Sequence, residues 1–286
     1  LDPKFVVSIL WTSDELGALS FAEEALKLDF YPFGIVMEAG ERNLQVIYLH
    51  ERPDQHQIRS IALQVFEGTA YMHSKNIAHN DLKALNILRM ENDKRLRLID
   101  LDAATEIDGD GRLLAFVGAK FSSGILPPEM FYELKNEESV GKFETYFAPI
   151  ASRHEQATTR RRSMVEQNPQ SMEDLESWQK IMPKYNSNTG THIVVKTFRT
   201  DPKNPSQPLS ASQLPYDLVA STSAVDCWSI GCLLYQLTTG ENLEKVTRDD
   251  DLTSGASMAR IMNWNEGRLQ RKLAVVSNEL ARDLIS

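Results

Sequence analysis

Two short stretches constrain this chain more than any other feature. The first is His79-Asn80-Asp81-Leu82-Lys83-Ala84-Leu85-Asn86, and the second is Leu98-Ile99-Asp100-Leu101-Asp102. The first puts a carboxylate, a lysine and an amide on one loop, and the second ends an apolar strand in another carboxylate. Any one of these acidic residues alone would be read as a turn former or a helix cap. Together they supply the parts needed to move a phosphoryl group from ATP to a hydroxyl. Asp81 can orient the hydroxyl and accept its proton, Lys83 can neutralise charge on the moving group, and Asn86 and Asp100 offer hard oxygen ligands for magnesium.

The surroundings fit such a loop. Apolar residues at Ile58, Ile61, Ala62, Val65 and Met72 repeat at helical spacing, which predicts an amphipathic helix over 54–75 leading into the loop. Asn86-Ile87-Leu88 and Arg95-Leu96-Arg97-Leu98-Ile99 read as two short strands behind it. Cys232-Leu233-Leu234-Tyr235-Gln236-Leu237 continues a nearly all-apolar pattern over 225–239, as a buried helix requires.

The octet resembles the protein-kinase catalytic loop, H-R-D-L-x-x-x-N, and Asp100-Leu101-Asp102 stands where such kinases carry D-F-G. Gly34-Ile35-Val36-Met37-Glu38-Ala39-Gly40 resembles the last small-lobe strand entering the hinge, Pro127-Pro128-Glu129 resembles A-P-E, and Asp226-Cys227-Trp228-Ser229-Ile230-Gly231 resembles D-x-W-S-x-G. The resemblance implies an α+β protein-kinase-like fold: a mostly α-helical large lobe with an incomplete small β lobe. It assigns Asp81 and Lys83 to catalysis, and Asn86 and Asp100 to magnesium. Met37, Glu38, Gly40 and Leu88 are assigned to the nucleotide, with Met37 as gatekeeper and the Glu38 carbonyl and Gly40 amide on the adenine edge. Ser122 would tie the peptide-binding loop to Asp81 and Lys83. His79, Glu129 and Asp226 are structural, Asp226 by holding backbone amides of the catalytic loop.

Several positions depart from that pattern. Asn80 replaces the usual arginine beside the catalytic aspartate, so control by a phosphorylated activation segment is not expected. Leu101-Asp102 replaces Phe-Gly, which costs glycine's access to positive φ and adds a carboxylate near the metal. These features, with the long insertion, resemble a divergent non-RD kinase group of oomycetes, diatoms and brown algae. The Gly-rich loop and strand lysine are missing before the hinge, Lys27 and Glu23 or Glu24 being out of order for the lysine–glutamate pair, and the arginine that usually pairs with Glu129 is not represented. The chain reads as one kinase-like domain trimmed at both ends: residues 1–38 a small-lobe remnant and hinge, and 39–286 the large lobe with an insertion at about 131–215. Within the insertion, 151–172 reads as a mobile excursion or isolated helix, Ile193-Val194-Val195-Lys196-Thr197-Phe198 has β character, and 201–215 reads as linker. Arg161-Arg162-Ser163 is a possible site for a basophilic kinase but more often just a solvated basic patch.

Composition excludes other classes. The chain has 286 residues, 42% hydrophobic and 25% charged, and a formal net charge of −9, which argues against nucleic acid or an anionic membrane as partner. No apolar run approaches the roughly 20 residues that span a bilayer. Two cysteines on one expected buried helix cannot build a disulfide framework, so an intracellular, cytoplasmic setting is expected. The resemblance implies a Ser/Thr protein kinase using ATP and Mg2+ on protein substrates, with the fragment itself weakly active or inactive. Lys83, two residues after the base, matches the Ser/Thr pattern. The alternative is a pseudokinase or kinase-fold scaffold. A small-molecule phosphotransferase would share His-x-Asp but not Pro127-Pro128-Glu129 or the Asp226 motif. Oligomeric state, substrate and regulator are not legible.

Overall fold

A computed structural model describes residues 1–12, 35–107, 115–161, 177–201 and 204–286. Gly34, Lys27, Glu23, Glu24, Arg162 and Ser163 lie outside the described residues. The chain forms two compact units, one of residues 1–75 and 83–100, the other of residues 76–82 and 101–286.

In the first unit, the expected helix runs Gln55–Ser74 and buries Ile61, Ala62, Val65, Gly68, Thr69 and Met72 on one face. Its start is a capping box: Asp54 Oδ1 accepts from the Gln57 amide at 2.9 Å, and Gln57 Oε1 accepts from the Asp54 amide at 2.9 Å. That reciprocal pair satisfies two donors that the first turn leaves without helical partners. The helix packs against Leu96–Leu98, the edge of an antiparallel sheet ordered Gly40–Asn43, Ile87–Met90, Leu96–Leu98. The N-terminal arm runs along Leu98, with the Val7 amide donating to the Leu98 carbonyl at 3.1 Å and the Leu98 amide to the Phe5 carbonyl at 2.8 Å. The Phe5 ring stacks on Tyr71 at 4.9 Å. A separate antiparallel ribbon pairs Ile9–Thr12 with Ile35–Met37.

The second unit is built on helix Ser223–Thr239, which buries Val225, Asp226, Ser229, Cys232, Leu233, Leu234, Tyr235 and Leu237. Gly240 ends it in the left-handed region at φ 81° and donates its amide to the Gln236 carbonyl at 2.8 Å. The stretch 131–215 departs most from expectation. Phe131–Leu134, Thr191–Val195 and Lys184–Asn186 form an antiparallel sheet with Thr191–Val195 in the middle. Helix Glu137–Arg161 places Phe143, Tyr146 and Phe147 in full burial. They join one core with Val117, Phe121, Leu126 and Met130 and with Leu252, Met258 and Ile261. The stretch 151–161 is therefore part of a long helix rather than an excursion. The expected linker at 201–215 instead holds strand Asn204–Pro208, the 3-10 turn Ala211–Gln213 and a buried Leu214. Among its described side chains, Leu214 faces the core, with Tyr216 just beyond it, which the polar composition hid. Among the described residues, no helix is long and apolar enough to cross a membrane.

Candidate active site

The residues singled out in the sequence divide between the two units, the chain passing between them at Lys75–Asn76, Leu82–Lys83 and Asp100–Leu101. In the second unit, strand Ile77–Ala78 pairs with Thr105–Glu106 and delivers His79, Asn80 and Asp81. Asp226, fully buried, accepts from the His79 amide through Oδ2 and from the Asn80 amide through Oδ1, both at 2.8 Å. A buried carboxylate is tolerable only when so paired, and each of these bonds is charge-assisted. The pair fixes the backbone immediately before Asp81, whose own amide donates to His79 Nδ1 at 3.3 Å. Asp81 is 6% exposed.

Asn80 sits at φ 62°, a left-handed conformation that asparagine accepts more readily than most residues. Its side-chain amide donates to the Ala103 carbonyl at 3.1 Å and to Thr105 Oγ1 at 2.7 Å. Thr105 passes the chain on, donating to Ser221 Oγ at 2.6 Å. The start of the segment after Asp100 is thus fastened by neutral hydrogen bonds. Farther along, Phe116–Val117 pairs with Val219–Ala220, and Ser229 Oγ, on the same helix as Asp226, donates to the Ile125 carbonyl at 3.1 Å. Ser122 is 1% exposed, whereas Glu129 is exposed and makes no ion pair among the described residues.

In the first unit, a 3-10 turn Ala84–Asn86 carries the loop into strand Ile87–Met90, with the Asn86 amide donating to the Lys83 carbonyl at 2.9 Å. The hairpin register Ile87↔Leu98, extended by the Ile99 amide donating to the Asn86 carbonyl at 3.0 Å, sets Asn86 and Asp100 at neighbouring positions on adjacent chains. Asn86 is buried and Asp100 exposed, the latter at φ 64°. The loss of glycine at Asp102 therefore has no backbone consequence. The left-handed residue is Asp100, while Asp102 lies in the 3-10 turn Leu101–Ala103 and is paired with Lys120 at 2.7 Å.

The hinge residues also belong to the first unit. Arg97, its side chain 8% exposed, donates to Glu38 at 3.3 Å and to Asp93 at 2.8 Å, and Asn92 donates to the other Glu38 oxygen. Those bonds anchor the residue whose carbonyl begins the expected adenine edge. A Cβ on Gly40 would lie 2.2 Å from Leu88 Cδ2, so a side chain there would displace Leu88. Met37 is half exposed on the ribbon. Arg89, held between Glu41 at 3.1 Å and Glu51 at 2.5 Å, ties the strand after Gly40 to helix Leu44–Glu51; the two carboxyls are held below their usual range by its guanidinium.

The sequence reading missed Thr105, Ser221, Ser123, Asp251 and Arg97. The donor set suits magnesium only in company. Among the described residues, no group of three or more His, Cys, Asp or Glu could hold a metal. The Asn86 amide oxygen and the Asp100 carboxylate are hard donors that would suit a magnesium ion.

Comparison with known proteins gives the family. The model of the protein kinase domain matches residues 29–216, more than half of the chain and ending before Asp226. The chain is 36% identical over 67 residues to the serine/threonine-protein kinase pakE of Dictyostelium discoideum, covering 23% of this chain and 7% of that protein. It is 30% identical over 83 residues to the human receptor-interacting serine/threonine-protein kinase 1, covering 25% and 12%. The yeast serine/threonine-protein kinase BCK1/SLK1/SSP31 (Saccharomyces cerevisiae) is 34% identical over 82 residues, covering 29% and 6%. The aligned stretch is a small part of each relative. With the His79 amide held by a buried carboxylate 147 residues on, and a family model matched over residues 29–216, this chain belongs to the protein kinase domain family.

Proposed function

We propose that the chain is the catalytic core of a Ser/Thr protein kinase that transfers the γ-phosphoryl group of ATP to hydroxyls of protein substrates. The observation that carries this reading is the Asp226 carboxylate on the amides of His79 and Asn80, because a base works only if its backbone is held. On this reading Asp81 orients the substrate hydroxyl and takes its proton, and Lys83 offsets charge on the transferred group. Asn86 and Asp100 hold magnesium, which would supply charge neutralisation at the phosphates. Glu38 and Gly40 present backbone groups to adenine, with Met37 and Leu88 against its faces, and Ser122 links the peptide loop to the catalytic one. Residues 1–38 serve as small-lobe remnant and hinge and 39–286 as large lobe. A protein substrate and an intracellular, cytoplasmic location complete the proposal.

The scaffold alternative rests on Asp102, the unpaired Glu129 and the large insertion, and the pairing of Asp102 with Lys120 answers the first of these. The test is phosphate transfer from radiolabelled Mg-ATP to Ser- and Thr-containing proteins by the full-length gene product, beside its Asp81→Asn variant. Transfer by the first and its near loss in the second is expected, and equal transfer by both would sink the reading.

A further inference from the structure

We propose that the 131–215 insertion frames the substrate-binding loop, with Lys180 and Asp251 as positioning residues for Ser122, Ser123 and Gly124. The inference rests on the kinase reading for the word substrate, but its geometry stands apart from that reading.

Side chains of three residues of the insertion end on the backbone of 118–124 or on the residues that hold it. Just after the central strand of the insertion's sheet, the Thr197 hydroxyl donates to the Gly118 carbonyl. Gly118 sits at φ 113°, and a Cβ there would lie 2.5 Å from the Lys196 carbonyl, so the two chains pass too closely for any other residue. Next, Lys180, in the helical stretch 177–181, donates to the Phe121 carbonyl at 3.4 Å and pairs with Asp251 Oδ2 at 3.7 Å. Lys184, on the edge strand, donates to the Leu252 carbonyl, and burial disfavours its charge while Asp251 opposes that effect.

Asp251 is the junction. Its other oxygen, Oδ1, accepts from the Ser123 amide at 2.9 Å and from the Ser123 hydroxyl at 3.0 Å, and the same hydroxyl accepts from the Leu252 amide at 2.8 Å. The neighbouring Gly124 amide donates to the Asp250 carbonyl at 2.7 Å. One carboxylate thus faces Lys180 of the insertion on one side and the loop on the other. The Lys180–Asp251 pair is long and Lys180 is 41% exposed, so its own attraction is small. Its effect is to hold the carboxylate in the orientation that serves Ser123, which is nearly fully buried. A loop held by an insertion need not be held by a phosphate.

Hydrogen exchange of the whole chain, read by mass spectrometry with the helix 223–239 as internal control, tests this without any assay of activity. Asp251→Ala removes both arms of the junction, and exchange of the Ser123 and Gly124 amides should quicken about tenfold, as expected for loss of a charge-assisted bond. Asp251→Asn keeps an acceptor for Ser123 but loses the pair with Lys180. It should match Lys180→Ala, with a rise of about threefold, and Lys180→Arg should restore the wild-type rate. Should Asp251→Ala not fold, the half-exposed Lys180 decides the matter alone. If transfer to a peptide is detected, the same variants should raise KM for the peptide more than they lower kcat. A failed kinase reading would leave the exchange result intact. Exchange across 118–124 that is the same in Lys180→Ala as in wild type overturns the proposal.

Discussion

The loop around Asp226 and the ribbon of Ile9–Thr12 with Ile35–Met37 invert the usual rule of what lies inside. In the loop, polar His79, Asn80, Asp81 and Asp226 are all buried, between 0% and 6% exposed. On the ribbon, apolar Ile9, Leu10, Ile35, Val36 and Met37 are 48% to 64% exposed. Burial and pairing, not residue type, set how strongly each position resists change: a buried polar group loses its partners when they are removed, whereas a solvated apolar side chain has few contacts to lose. Apolar side chains exposed together on one short ribbon make a surface able to pack.

The largest effect expected from that contrast is at Asp226. Asp226→Ala leaves the His79 and Asn80 amides buried without an acceptor, at about 2 kcal/mol each, so roughly 4 kcal/mol of stability should go. Cys232 gives the readout. It is buried in the same helix and burial pushes its thiol up to about 12, while Cys227 is exposed. In the wild type only Cys227 should react with a thiol reagent. In the variant Cys232 should react at far lower urea concentration. An unfolding midpoint within error of wild type would erase the contrast between loop and ribbon.

Next comes Asp81→Asn, which sharpens the comparison by separating position from chemistry. The amide is isosteric, so stability should change by less than about 1 kcal/mol. Turnover in the full-length protein should fall at least about a hundredfold with little change in nucleotide affinity, because the base acts in the transition state. A loss of nucleotide affinity as large as the loss of turnover would assign Asp81 to binding instead.

How much of this was legible in the sequence depends on how far apart the partners lie. The Gln55–Ser74 helix announced itself through apolar spacing, and the Ser223–Thr239 helix through its continuous apolar run, because both patterns are local. Asp226 was legible only through its motif. Thr105, Ser221, Ser123 and Asp251 were not legible: their hydrogen bonds join residues 116 and 128 positions apart, and a polar residue in a loop carries no mark of what it will meet. The insertion was misread for a related reason. Phe143, Tyr146 and Phe147 are scattered among charged neighbours on one helix, and they become a core only when strands some 50 residues later close over them.

Thr105→Val tests the neutral fastening of the segment after Asp100. Valine keeps the shape but removes the donor to Ser221 and the acceptor for Asn80, so about 1–2 kcal/mol should be lost. Thr105→Ser should retain most of it. If Asn80 and Thr105 do what a phosphate does elsewhere, phosphatase treatment of the full-length protein should leave its activity nearly unchanged. Loss of most activity on that treatment, traced to a residue between Thr105 and Ser123, would show that the segment is phospho-switched.

The smallest effect belongs to the ribbon, and it is the one that most directly breaks or keeps the comparison. Ile35 is 62% exposed and, among the described residues, pairs across the ribbon opposite Thr12. Truncating it to Ala removes methyl groups that are already mostly in water, so the transfer and cavity costs that attend a buried aliphatic side chain are nearly absent. Ile35→Ala should therefore shift the unfolding free energy of this chain by less than about 0.5 kcal/mol. Leu98→Ala, at 2% exposure in the same unit, should cost about 2–5 kcal/mol. Both are measured by urea unfolding of this chain. If Ile35→Ala costs as much as Leu98→Ala, the ribbon is covered in solution, and the contrast is one between two buried regions. Repeating the measurement over a tenfold range of protein concentration then identifies the cover. A cost that grows with concentration means that a second copy of the chain packs on the ribbon, and a constant cost means that the chain covers it itself.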